Sequence, residues 1–139
     1  MIQILMVDDE ASVLTALQRA LRQHFSGRLS CVATTDALQA LSHAKTQHFD
    51  VVIADLRMPE LDGISLLTLI AAVQPQAVRL MLTGLADFET AQRAINEAGV
   101  FRYLSKPWSD RELVAHITAA IGEARGGSVN SSSSTAATT

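Results

Sequence analysis

The chain has 139 residues, of which 48% are hydrophobic and 18% charged, and a formal net charge of −3. That length suits one domain with a single sizeable core and leaves no room for a second folded unit. The composition argues against a disordered chain, and the mild acidic balance argues against nucleic-acid binding, which wants a basic stripe.

In chain order, the apolar run Ile2 to Val7 predicts a first strand, stopping at Asp8-Asp9-Glu10. Those acids come too early for a secretory signal, and no apolar stretch approaches the roughly 20 residues needed to span a bilayer. No membrane association and a cytoplasmic location are therefore expected. Leu14, Leu17, Leu21 and Phe25 follow at helical spacing, with Gly27 where a left-handed cap residue is wanted.

Leu29 to Ala33 predicts a second strand. It contains Cys31, the only cysteine, so an intrachain disulfide is impossible; in this apolar run it reads as a small buried hydrophobe. Val51 to Ala54 predicts a third strand, ending at Asp55, and Val78 to Leu82 a fourth, ending at Thr83-Gly84. A second helical pattern, Phe88, Ala91, Ile95 and Ala98, precedes Gly99, again at a cap position.

Phe101 to Leu104 predicts a fifth strand, ending at Ser105-Lys106. Ser109 with Glu112 three residues on is a capping-box signature, and Leu113, Ile117 and Ile121 then share one helical face. From Gly126 the composition turns to Gly, Ser and Thr with little apolar to bury. We read residues 1–125 as the folded domain and 126–139 as a flexible tail or linker.

Five near-continuous apolar runs alternating with amphipathic stretches point to βα units and a parallel sheet covered on both faces. Parallel strands share a direction, so the polar residues at their carboxyl ends should converge, where ligands bind in open α/β sheets. Three carboxylates in a small volume need a counter-charge, because a like-charge pair at about 4 Å costs roughly 4 kcal/mol at an effective dielectric of 20. Hard oxygen donors in this number suit Mg²⁺ or Mn²⁺. Lys106 adds a point charge for a phosphoryl oxygen, Thr83 a hydroxyl, and Gly84 room beside it. Asp55 ends a central strand apart from the Asp8-Asp9 pair, which makes it the candidate nucleophile.

Val7-Asp8-Asp9-Glu10, Asp55-Leu56-Arg57-Met58-Pro59, Asp62-Gly63, Leu82-Thr83-Gly84 and Lys106-Pro107 together resemble the signature set of response-regulator receiver domains, over about residues 2 to 124. The resemblance implies a flavodoxin-like (βα)5 sandwich with a parallel five-stranded sheet of order 2-1-3-4-5. It implies that Asp55 is the phosphoacceptor, and that Asp8, Asp9, Asp55 and the backbone carbonyl of Arg57 hold Mg²⁺ or Mn²⁺. By the same resemblance Thr83, Gly84 and Lys106 contact the phosphoryl group, and Thr83 and Tyr103 form the switch pair. Gly63 and Pro107 match structural turn positions, and the Lys106-Pro107 bond is cis in family members. Arg57 and Leu85 occupy positions that in the family influence how quickly the aspartyl-phosphate hydrolyses. The stretch Phe101 to Trp108 resembles receivers joined to cyclic-dinucleotide phosphodiesterase or histidine-kinase modules.

The implied function is a phosphorylation-activated switch of a two-component system rather than a turnover enzyme. The implied partners are a sensor histidine kinase or histidine phosphotransfer protein and an output domain or downstream protein, with a homodimer through the fourth helix, fifth strand and fifth helix. The alternative is a receiver-shaped interaction or dimerisation module that signals without phosphate. Other α/β readings fit less well. A flavodoxin would present hydroxyl and amide donors in its first loop, where this chain has three acids. Adjacent Asp8 and Asp9 do not make the acid-x-acid motif of a haloacid dehalogenase, and there is no phosphate-binding Gly-x-x-x-x-Gly-Lys loop. His24, His43, His48 and His116 are scattered and do not suggest a helical phosphotransfer protein.

Overall fold

The computed structural model describes residues 1–84 and 87–130. Five βα units follow one another: β1 Ile2–Val7, α1 Ala11–His24, β2 Leu29–Thr34, α2 Ala37–Thr46, β3 Val51–Asp55, α3 Gly63–Val73, β4 Val78–Gly84, α4 Phe88–Glu97, β5 Arg102–Lys106 and α5 Asp110–Asn130. All pairings are parallel, in the order β2-β1-β3-β4-β5. The flavodoxin-like order expected from the motifs is the observed one.

Alternation along β1 explains the three layers. Ile4 and Met6 face a core shared with Leu14, Leu17 and Leu21 of α1 and Leu113 and Ile117 of α5. Leu5 and Val7 face the opposite core, shared with Ala40 of α2 and Leu66, Leu67 and Ile70 of α3. Residues of both faces are almost wholly buried in β1 and β3, which accounts for their unbroken apolar character. β2 lies at the sheet's edge, and Cys31 there is half-buried, not buried as its apolar run suggested. Burial raises its thiol pKa, with a smaller opposing pull from Arg22.

Local signals set the element ends. Gly27 and Gly99 take positive φ values of 76° and 63°, the cap conformation expected of them. Ser109 and Glu112 form the reciprocal capping box, each taking a hydrogen bond from the other's backbone N–H. Of the four apolar positions read for α4, Ala91 and Ala98 are buried; the side chains of Phe88 and Ile95 lie outside the described residues, as does Leu85. Helix α5 passes the composition change at Gly126 and runs to Asn130, since each added helical residue gains one backbone bond once the turn before it has formed.

The β4 and β5 ladders continue past the points where hydrophobicity stops. Thr83 pairs with Ser105 and Gly84 with Lys106, because ladder bonds are made by backbone groups and tolerate polar side chains. The turn after β3 is equally constrained. Asp62 caps α3 by accepting from the Ser65 N–H at 2.8 Å, and the Gly63 N–H donates to the Leu56 carbonyl at 2.9 Å. This draws Gly63 so close that a Cβ there would sit 2.3 Å from the Asp55 carbonyl oxygen. Gly63→Ala should therefore destabilise the fold by about 1–3 kcal/mol through overpacking against backbone. Urea unfolding checks this: the midpoint should fall with an unchanged slope.

Candidate phosphoacceptor and metal site

The carboxyl ends of β1, β3, β4 and β5 bring Asp8, Asp55, Thr83 and Lys106 to one edge of the sheet. Carboxylate oxygens of Asp8, Asp9 and Asp55 lie within 4.8 Å of one another. Asp8 is wholly buried and Asp55 is 5% exposed, whereas Asp9 is exposed. Lys106 Nζ lies 3.0 Å from Asp8 Oδ2 and 3.0 Å from Asp55 Oδ1, with Glu10 Oε1 at 3.9 Å. Asp8, Asp9, Asp55 and Lys106, grouped from the motifs, thus come together.

An acidic run after a strand often serves only to cap the following helix. That explanation does not hold here. Glu10 is the N-cap residue of α1 and makes no side-chain capping bond, and the first turn holds no acid. Asp8 Oδ1 instead accepts from the Glu10 N–H at 2.9 Å, which leaves Oδ2 aimed at Lys106.

Burial pushes the Asp55 carboxyl pKa up, helped by the charges of Asp8 and Asp9; the hydrogen bond from Lys106 pulls the other way without cancelling it. For Lys106, burial favours the neutral amine, but its bonds to Asp8 and Asp55 outweigh that and raise its pKa. One ammonium faces three carboxylates, so the cluster stays short of positive charge. Clustered hard oxygen donors with that deficit fit a small divalent cation such as Mg²⁺.

Thr83 is 2% exposed, and its hydroxyl donates to the Gly84 carbonyl at 3.1 Å. Among the described residues, a Cβ at Gly84 would meet nothing nearer than Asp87 Oδ2 at 3.9 Å, so these neighbours do not require a glycine there. Tyr103 is half-buried and packs against the core beneath α3, opposite Met81 in the ladder. The Lys106-Pro107 bond is cis. Three histidines are engaged elsewhere, His24 with Asp110, His48 with Asp50 and His116 beside Arg102.

Asp87 was not singled out from the sequence. Its Oδ1 accepts from Arg57 Nε at 3.1 Å and from Arg57 Nη2, joining the segment after β3 to the segment after β4. The bonds from Arg57 lower the Asp87 pKa and raise that of Arg57. Only the opposite charges of two residues placed at neighbouring strand ends hinted at this pair.

The response regulator receiver domain family matches residues 4–118. The chain belongs to that family. It is 33% identical over 118 residues to the hydrogenase transcriptional regulatory protein HoxA of Bradyrhizobium diazoefficiens, covering 85% of this chain and 24% of HoxA. It is 34% identical over 133 residues to the transcriptional regulatory protein PrrA of Mycobacterium tuberculosis, covering 96% of this chain and 55% of PrrA. The chain therefore spans about a quarter to a half of the length of these regulators. Among solved structures, the signal receiver domain of an HD domain-containing protein from Pseudomonas fluorescens Pf-5 superposes with a TM-score of 0.83 at 34% identity, covering 91% of each chain. Membership supports a role as a signalling switch of two-component systems. Among the described residues, no helix is long and apolar enough to cross a membrane.

The raised pKa of Asp55 has a consequence for stability. Its folded form holds a proton more readily than the unfolded chain does, so the metal-free protein loses stability as pH rises from the unfolded carboxylate value through the folded one. Asp55→Asn removes that penalty and keeps an oxygen for Lys106. In the presence of a chelator, its urea midpoint should exceed that of the wild type at pH 7, and the gap should close as pH falls below the carboxylate range.

Proposed function

We propose that this receiver accepts a phosphoryl group on Asp55 from a histidine kinase or histidine phosphotransfer protein, and that the modified form changes its affinity for an output partner. The supporting observation is Lys106 held 3.0 Å from both Asp8 and Asp55 at the edge of the sheet, beside exposed Asp9. A carboxylate oxygen of Asp55 attacks the phosphorus of a phosphohistidine. The new P–O bond forms as the P–N bond breaks, and the imidazole leaves with that electron pair and takes up a proton. Lys106 offsets charge on the phosphoryl oxygens.

Asp8, Asp9, Asp55 and the Arg57 carbonyl are the groups that would hold Mg²⁺ or Mn²⁺. When bound, the ion supplies positive charge that neutralises the carboxylates and the incoming phosphate. Thr83 then turns its hydroxyl from the Gly84 carbonyl to a phosphoryl oxygen, Gly84 leaves room for that oxygen, and Tyr103 follows. The altered surface is that of α4, β5 and α5, which serves a partner or a second copy. Gly63 and Pro107 hold the turns on either side of the site. We assign the switch to residues 1–125, with 126–139 as tail or linker, to a non-enzymatic role beyond its own phosphorylation and dephosphorylation, and to the cytoplasm.

Incubation with Mg²⁺ and acetyl phosphate should add one phosphoryl group by intact-mass measurement, and Asp55→Asn should abolish the adduct. An unchanged mass under conditions that modify another receiver would favour a phosphate-independent interaction module. Separately, Asp9→Ala should weaken Mg²⁺ binding at least about tenfold, the cost of losing even an outer-shell partner. Calorimetric titration of the unphosphorylated protein measures this, and an unaltered isotherm would remove Asp9 from the metal set.

A further inference from the structure

Arg57 and Asp87 make an ion pair whose chemistry the assignments above leave unused. Two donors of the guanidinium, Nε and Nη2, go to the same oxygen, Asp87 Oδ1. The other oxygen, Oδ2, lies 3.9 Å from where a Cβ on Gly84 would be, so the carboxylate stands beside Gly84. The Arg57 side chain is 68% exposed and that of Asp87 19%. Arg57 also lines an open groove of 680 Å³ together with Asp9, Leu56 and Asp62. A guanidinium two residues beyond Asp55 is thus held on the groove that leads to the acidic cluster, but it is committed to a carboxylate.

A guanidinium presents a planar fork that matches two oxygens of a phosphate, and a dianionic phosphate is a stronger partner than a single carboxylate oxygen. We propose that Asp87 is a positioning residue that holds Arg57 in reserve, and that an incoming phosphoryl donor takes the guanidinium from it. The inference rests on Asp55 being the phosphoacceptor. Asp87 then sets how tightly the donor binds without touching it. A surface ion pair with its guanidinium largely exposed is weak enough to be exchanged for a better anion.

The test follows adduct formation by intact mass against acetyl phosphate concentration at saturating Mg²⁺. Asp87→Asn should lower the half-saturating concentration about two- to fivefold, the worth of an exposed ion pair, with the limiting rate unchanged. In an Arg57→Ala background the same substitution should have no effect, and Asp87→Glu should behave as the wild type. An unchanged or higher half-saturating concentration in Asp87→Asn overturns the inference. An equal fall with or without Arg57 also overturns it, since Asp87 would then act through its own repulsion of the donor. A wild type that forms no adduct sinks the phosphoacceptor reading and this inference together, whereas a normal wild-type adduct with an insensitive Asp87→Asn sinks this inference alone.

Discussion

Lys106 stands 3.0 Å from a carboxylate oxygen on each of two different strands, and the rest of the site is arranged around that contact. Two carboxylates taken out of water without a counter-charge would repel each other and lose hydration. The ammonium offsets part of their charge, yet with Asp9 alongside it leaves the cluster short of positive charge. A site fully neutralised by its own side chains would have no use for a cation. A site with no lysine would cost more to fold.

The sheet is what makes that contact possible. Asp8 follows β1, Asp55 ends β3 and Lys106 ends β5, and β4 lies between the last two. Parallel register brings Gly84 level with Lys106 and Leu82 level with Asp55. A slip by one residue would turn each of these side chains to the other face. The apolar alternation of β1 and β3, buried on both sides, therefore guards the polar geometry at their ends. Gly63 serves the same purpose from outside the sheet, because its missing Cβ lets the turn before α3 close onto the Asp55 carbonyl.

Much of this could be read from the sequence. Strand cores were legible because two-sided burial leaves unbroken apolar runs, and the ends of α1, α4 and α5 because glycine caps and a capping box are local chemistry. α3 offered no such stripe: its eleven residues carry no charge, so periodicity had little polar contrast to show. The last residues of β4 and β5 were missed for a related reason, since backbone pairing continues where hydrophobicity ends. The half-burial of Cys31 required knowing that β2 is an edge strand, which depends on strand order. Asp8, Asp9, Asp55 and Lys106 converged as read, whereas the contact of Asp87 depends on how two loops approach each other.

That contact shows why the two kinds of site residue differ in legibility. Asp8, Asp55 and Lys106 are placed by hydrogen-bonded strands, so a sequence pattern that predicts the strands also predicts their meeting. Arg57 and Asp87 stand beyond the ladders, and their pairing answers to local charge. A surface ion pair whose guanidinium is largely exposed contributes little to folding, so it is free to be exchanged for another anion without loss of the core. The buried Lys106 contacts lack that freedom, because breaking them would strand two carboxylates away from water. On the proposed reading, rigid groups at the strand ends define where a phosphoryl group sits, and the exchangeable pair beside them responds to its arrival.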